Sequence, residues 1–503
     1  MSKIKRILSL FLVLGLMLTS FVDVFAIENN AQSYEEKFIE LKDIEDNEFV
    51  DAIIKLNKEL DYSRIDSFVQ NKNYGKSKEE IQDAIREEIV DQSERLAEDS
   101  QKSILDILES EKETGQVKFY ESFHIINCIN VIAKKSLLSS LAKRSEVEKI
   151  VLNKKIKADK KEKNAPEVRT YSMNSANGKH VPWNLKAIAA DKAQELASSS
   201  NNEVVVAIID SGVDGSHPAI KNNYRGNDQN LKKYSWYNVV NEKTGDKEEP
   251  YDDRGHGTHV CGTILGQREN SLLGVCPSAK WMAVKVFDSN GETDNAKLLK
   301  AGEWIMAPKD ENGTPHPEMA PKVVNNSWGG NSTDGFYRDI VKAWRKAGIF
   351  PVFSAGNVSQ YNNGGENSIG TPASYPESYA VGAIRKDEHV AKFSLRGKSD
   401  YTDKWKPDIV APGVNILSSM PGNKYEILTG TSMAGPHVTG VVALMLSVNK
   451  DLSVDQIEKI LNSTATPLKD EDYTSSPNHG YGYGKVNAAL AVELAKGQKK
   501  AMK

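Results

Sequence analysis

"EVVVAIID", residues 203–210, is an unbroken apolar run that ends in an acid. Valine and isoleucine dominate it, and polar residues do not alternate with apolar ones, as expected of a strand covered on both faces. The same texture recurs at WMAVKVF (281–287), KVVNNSW (322–328), IFPVFSAGN (349–357), YAVGAI (379–384) and DIVAPG (408–413). Helical segments intervene near 256–266, 295–306, 335–347 and 432–448. This alternation predicts an α/β domain of three layers with a mostly parallel sheet. Ligands of such sheets bind at the carboxyl ends of the strands, so the strand ends are the place to look for chemistry.

Asp210 closes the first run, and buried aspartates are rare unless paired; taken alone, it could equally cap the following turn. "DDRGHGTHVCGT" puts His256 between two glycines at a helix start, where a lone histidine is most often a loop residue. "PVFSAGN" puts Asn357 at another strand end. "GTSMAGPH" (430–437) puts Ser432 at the mouth of a helix, where a lone serine is usually an N-cap, with Pro436 still tolerated near the first turn. His437 lies beyond that proline, badly placed to take the Ser432 proton. As a set, Asp, His, Asn and Ser would gather at one edge of one sheet, and acyl transfer needs that constellation. His259 competes with His256 for the role of base. A metal site on "HGTH" has no third ligand signalled nearby.

The order Asp, His, Ser within "DSG", "HGTHV", "SAGN" and "GTSMAGPH" resembles the subtilisin-like serine proteases (subtilases, peptidase family S8), over roughly residues 180–495. "NNSWGG", "GTSMAGPH" and "NSTATPL" are most similar to the bacillopeptidase F branch. The resemblance implies a serine-type endopeptidase that hydrolyses peptide bonds through an acyl-enzyme. Ser432 is then the nucleophile, His256 the general base, Asp210 the group orienting the imidazole, and Asn357 with the Ser432 N–H the oxyanion donors. Ser327, Trp328 and Gly329 would form one substrate edge and Gly291, Glu292 and Thr293 the facing edge. Main-chain pairing to both implies broad specificity, although Trp328 could equally be core. Ser354, Ala355 and Gly356, with residues 370–376, would wall the first specificity pocket; neither stretch holds an acid, so no dibasic preference is expected. Glu292 and Asp294 are expected to favour basic residues further along the peptide. No cofactor is required. Calcium binding is open, but the usual family site lacks its acid, because Ala219 stands there and the loop "GQRENSLLG" is short. Gly435 occupies a position where many members carry serine. Two other readings remain at this point: a catalytically silent binding protein on the same fold, and an esterase, which would want G-x-S-x-G and a triad led by serine.

Over its 503 residues the chain carries a net charge of −4, with 27% charged and 39% hydrophobic residues. That balance gives no reason to expect nucleic acid or an anionic membrane as partner. Lys3, Lys5 and Arg6, the apolar run Ile7–Leu18 and a small-residue cut after Ala26 form a secretory signal pattern over 1–26, too short to span a bilayer. Ile27 rather than cysteine follows, so secretion without a lipid or membrane anchor is expected. Residues 27–116, including FVDAIIKLNKEL and SILDILES, have apolar residues at helical spacing and read as an acidic helical part of a propeptide. Residues 117–156 read as strand–turn–strand, helix, strand, and resemble the family's inhibitory propeptide. Residues 157–179 are a polar linker suited to processing, and 180–497 the peptidase domain. The chain is thus expected to be a zymogen and a monomer, whose partners are polypeptide substrates and its own propeptide. Cys128, Cys261 and Cys276 are too few to staple a chain of this size and are expected to be buried thiols.

Overall fold

The computed structural model describes residues 41–157, 180–200, 202–329, 334–360 and 362–501. The expected signal segment, nearly all of the expected linker and Gly330 of "NNSWGG" lie outside them. The described residues form two compact units, one within 41–60 and 93–154, the other within 61–92 and 155–501.

In the first unit, four antiparallel strands lie in the order Val117–Phe123, Cys128–Lys134, Phe49–Leu56, Val147–Leu152. The stretch FVDAIIKLNKEL, expected to be helical, is instead the strand Phe49–Leu56. Its spacing serves both periods, and the partners decide. Val50, Ala52, Ile54 and Leu56 alternate into a core with Ile129, Val131, Ile104 and Leu108, while the backbone pairs with Cys128–Lys134 on one side and Val147–Leu152 on the other. A β-branched run with two waiting ladders gains more as a strand than as an isolated amphipathic turn. The unit therefore begins well before residue 117, where the composition shift suggested a boundary. Beyond that point the strand–turn–strand, the helix Lys135–Leu141 and the last strand stand where the sequence put them.

The second unit is built on an eight-stranded sheet. Its strands are β1 (Val205–Asp210), β2 (Trp236–Asn238), β3 (Lys243–Thr244), β4 (Lys280–Lys285), β5 (Val323–Asn326), β6 (Phe350–Ser354), β7 (Tyr379–Ile384) and β8 (Ile409–Pro412), in the order β8-β7-β6-β5-β1-β4-β2-β3. All pairings are parallel except that of the short β3 with β2. The six apolar runs of the sequence are β1 and β4–β8. Helices α1 (His256–Leu265), α2 (Asn295–Met306), α3 (Arg338–Lys346) and α4 (Thr431–Val448) cover them. α1 and α4 pack against each other and α4 also lies on β5–β8, while α3 lies on β6 beside α2. From β1 the chain forms β2, β3 and β4 on one side and then crosses to β5 on the other. The carboxyl end of β1 is thus a switch point of the sheet, where ligands of such folds bind.

α4 is buried along its length apart from Ser432. Gly435 within it has room to spare: an added Cβ would stand 3.5 Å from Ser354 Oγ and 3.6 Å from Asn325 Oδ1. Gly435→Ala is expected to raise stability by about 1 kcal/mol through helix propensity. Gly435→Ser should do at least as well, because its hydroxyl can meet that of Ser354, which is buried without a partner. Thermal unfolding of the variants checks this; a lowered midpoint for both would show that the helix tolerates no atom there.

Candidate active site

Asp210, the last residue of β1, is 2% exposed. Its Oδ1 accepts the Ser211 N–H at 2.7 Å. His256 opens α1, delivered by Gly255 in the left-handed region (φ 86°), where a Cβ would also strike Met420. The imidazole Nδ1 lies 2.8 and 2.9 Å from the two Asp210 oxygens. Nδ1–H therefore donates, and Nε2 is left as the basic nitrogen. Burial disfavours the imidazolium, but the field and hydrogen bond of Asp210, helped by Asp252, outweigh it, while Arg254 opposes them; the net effect holds the His256 pKa above its ordinary value.

The groups that hold this pair in place were not evident from the sequence. Buried Asp252 accepts from the Ser211 hydroxyl at 2.9 Å, from the N–H groups of Arg254 and Gly255, and from both the N–H and the hydroxyl of Thr258. Ser211 Oγ in turn accepts the Gly257 N–H at 3.1 Å. The strand end carrying Asp210 and the helix start carrying His256 are thereby tied through one carboxylate. Lys285, level with Asp210 on β4, is 1% exposed and donates to Ser211 O, Asp253 and Phe287 O at 2.7–2.8 Å. An acid four residues ahead of a helix-initial histidine, and a lysine inside an apolar run, were the available signals.

Ser432 is the second residue of α4. Pro436 lacks the N–H that the Ser432 carbonyl would accept one turn later. Ser327 replaces it: its Oγ donates to Ser432 O at 3.1 Å, and Ser432 Oγ donates back to Ser327 O at 3.2 Å. Behind Ser327 stands Asn325, donating to its Oγ at 2.9 Å and accepting from Thr439 at 2.9 Å. Asn357 Oδ1 accepts the N–H and hydroxyl of Thr431 at 3.0 and 3.1 Å, which leaves Nδ2 as a donor. Asn357 Nδ2 and Ser432 N each lie 3.7 Å from the point a Cβ on Gly430 would occupy, so both nitrogens border the Gly430 turn. His256 and Ser432 stand at the first turns of two helices, α1 and α4, that pack against each other.

The other histidines nearby are structural. His259 is buried, its Nε2 3.0 Å from Ile416 O and 3.2 Å from Glu426 O. His437 lies between Met433 O and the Asn184 amide at 2.8 Å each, and burial pushes its pKa down to about 4. All three cysteines are free and buried, and burial raises the Cys261 thiol well above its ordinary value.

Of the expected substrate edges, Ser327 and Gly329 flank the site, and Gly329 (φ 107°) could not carry a side chain, since a Cβ would meet Pro372 at 2.7 Å. The Trp328 ring is core: it is 8% exposed and meets Tyr337 and Phe353 edge-on at 5.1 and 5.7 Å. Ser354 ends β6, Ala355 N–H bonds Val381 O, and Gly356 N–H bonds Thr431 Oγ1 at 3.2 Å. Gly291 precedes the strand Glu292–Asp294, which pairs antiparallel with Lys155–Lys157 of the same unit; Lys157 Nζ is 2.6 Å from Glu292. Asp294, expected to attract basic substrate residues, instead caps α2 through the Lys297 N–H and pairs with the Lys297 ammonium. Thr293 is buried at 3%. Ala219 is buried and its carbonyl takes the Gln267 N–H at 2.8 Å.

Ser327→Ala is expected to destabilise the protein by about 1–3 kcal/mol, because it leaves the Ser432 carbonyl and the Asn325 amide unpaired in a dry site. Thr439→Val, which removes only the outermost hydroxyl, should cost less. Denaturant midpoints rank the two; equal and negligible losses would mean that water replaces the chain of bonds.

A family model described as the subtilase family (peptidase S8) matches residues 201–484. Bacillopeptidase F of Bacillus subtilis (strain 168) is 46% identical over 418 residues, which is 81% of this chain and 28% of that protein. Subtilisin DY of Bacillus licheniformis is 34% identical over 316 residues, covering 62% of this chain and 99% of the relative. Serine protease AprX of Bacillus subtilis (strain 168) is 30% identical over 419 residues, 77% and 83% of the two chains. The chain spans only 28% of the length of bacillopeptidase F and nearly all of that of subtilisin DY. With half the chain matched by the model and the site residues in the family's order, the protein belongs to the subtilase family of serine-type endopeptidases.

Proposed function

We propose that the protein is a secreted endopeptidase made as a zymogen, in which Asp210, His256 and Ser432 act as the triad and Asn357 as an oxyanion donor. The observation that carries this is the His256 Nδ1–Asp210 contact of 2.8 Å, which leaves Nε2 basic at the start of a helix that packs against α4, the helix of Ser432. In this mechanism the Ser432 hydroxyl leaves Ser327 O and donates to His256 Nε2. Attack on the scissile carbonyl then passes the serine proton to the imidazole, and Asp210 stabilises the resulting cation. Negative charge on the former carbonyl oxygen meets the Ser432 N–H, at a helix start where the dipole favours it, and the Asn357 amide. The leaving amine takes the proton from His256, and water repeats the sequence on the acyl-enzyme. Every proton is accounted for by these residues.

Broad specificity and a zymogen have their own support. Lys155–Lys157 lies as an added strand on Glu292–Asp294, the lip that a substrate would use. Main-chain hydrogen bonds of this kind select an extended backbone and read few side chains. The occupying segment directly precedes the polar stretch 158–179, so the chain's own N-terminal part would hold the cleft until that stretch is cut. The segment 1–26 would direct the protein across the membrane.

Ser432→Ala in the full chain is expected to abolish casein hydrolysis and fluorophosphonate labelling, about 10⁶-fold in turnover, and to accumulate uncut precursor. Retained activity would remove Ser432 from the mechanism. Asn357→Leu should lower kcat by about 10²–10³-fold with KM little changed, the loss seen when subtilisin's matching donor is removed.

Because neutral His256 is the base and its pKa is raised, the acid limb of the kcat/KM profile should lie above pH 6.5. Asp210→Asn should move that limb to lower pH while cutting turnover by about 10⁴-fold; an unmoved limb would show that another group titrates. Glu292→Lys should reduce the preference for a basic side chain at the position matching Lys157 by up to about 5-fold, the scale of an exposed ion pair, in peptide cleavage profiles.

A further inference from the structure

The carboxyl end of α3 closes in a pattern that leaves two carbonyls over. Ile349 N–H bonds Trp344 O at 2.8 Å and Gly348 N–H bonds Arg345 O at 3.1 Å, with Gly348 in the left-handed region at φ 77°. This pair of bonds is a Schellman closure, and it satisfies the carbonyls of Trp344 and Arg345. Those of Lys346 and Ala347 remain, at the negative end of the helix dipole. Both are taken by the segment 61–92 of the same unit. Gln82 Nε2 donates to Lys346 O at 3.0 Å, and the Arg86 guanidinium donates twice to Ala347 O, at 3.2 and 3.0 Å. Gln82 and Arg86 lie four apart on the helix Lys78–Glu113, hence on one face. Arg86 is 1% exposed, and it also donates to Pro317 O at 3.2 Å and meets Asp83 at 3.3 Å. At the rim, Asp66 pairs with Lys346 and Glu79 with Lys450.

A fully buried arginine is a strong commitment. Its place in the sheet is telling: α3 runs through Gly348 into Phe350, the first residue of β6, whose other end carries Ser354 and then Asn357. The contact is therefore at the amino edge of the sheet, a strand length of roughly 15 Å or more from the catalytic edge. We propose that the end of α3, with Pro317 and Lys450, is a remote docking site on the peptidase for the chain's own segment 61–92, anchored by Arg86, and that it retains the N-terminal part after residues 158–179 are cut. Release of the cleft then takes a second step, dissociation of this anchor. The timing of activity rests on the zymogen function proposed above; the docking itself does not.

The test uses the full chain carrying Ser432→Ala, so that no self-processing intervenes, with a specific-protease site placed within 158–179 and cut by the added protease. Dilution followed by native mass spectrometry then gives the Kd of the N-terminal fragment. Arg86→Ala is expected to weaken retention about 10- to 100-fold, the range for hydrogen bonds from a charged donor, and Arg86→Lys to fall between. Should Arg86→Ala fail to fold, the rim decides: Lys346→Asp should weaken retention several-fold, and adding Asp66→Lys should restore it, which a merely damaged fold would not do. Retention within twofold of the parent in both Arg86→Ala and Lys346→Asp overturns the proposal. In the chain with Ser432 intact, Arg86→Ala should shorten the delay between cutting and peptidase activity without changing the final kcat, and an unchanged delay overturns the two-step release. Absence of peptidase activity in every chain would instead sink the proposed protease function and leave the retention measurement standing.

Discussion

A carboxylate at the end of a strand covered on both faces has to be partnered before the sheet can close around it. Asp210 is that carboxylate, and much of the site follows from how its needs are met. Its oxygens face the His256 ring, so the helix that begins with His256 must start where β1 stops. Ser211 and Asp252 lock that junction, and Lys285, on the next strand, takes the Ser211 carbonyl with its buried ammonium. The charged groups lie where β1 is flanked by β4 and β5, the crossing point from which the chain proceeds in both directions. Fold and site are one construction here.

Three histidines stand in or near this construction, and environment separates them. His256 keeps one face toward solvent and a carboxylate at its back. His259 is wedged between the two strands of the hairpin Ile416–Met420 and Lys424–Leu428, where carbonyls hold one ring nitrogen. His437 is sealed between a helix carbonyl and an amide and stays neutral down to about pH 4. Only a group whose ionic form is stabilised in place can accept a proton during turnover and give it back near neutrality.

What was legible in the sequence was whatever repeats locally. The near-continuous apolar runs read as buried parallel strands, and of the four motif residues Asp210 and Asn357 fall at their ends while His256 and Ser432 fall at helix starts. The strand Phe49–Leu56 was not legible, because Val50, Ile53 and Ile54 fit a helical stripe while Val50, Ala52, Ile54 and Leu56 fit an alternating one; two partner strands distant in sequence choose between them. The roles of Asp252, Asn325 and Thr439 were hidden for the same reason: their partners come from other elements. Asp294 looked like a surface acid facing substrate, and only the start of α2 reveals that its charge is already spent as a cap.

Pro436 breaks a helical bond, and Ser327 mends it from another strand. One residue thereby belongs to the lip that would grip a peptide and to the turn that carries Ser432, the proposed nucleophile. Selection for new peptide preferences is not free on that lip, since any shift of Ser327 displaces Ser432 as well. On the opposite lip, Gly291–Thr293, the described contacts are of another kind: Gly291 abuts the Arg254 guanidinium and exposed Glu292 pairs with Lys157, and neither reaches the turn of Ser432. Divergence in taste among close relatives should therefore accumulate on one side of the cleft, leaving the other nearly fixed.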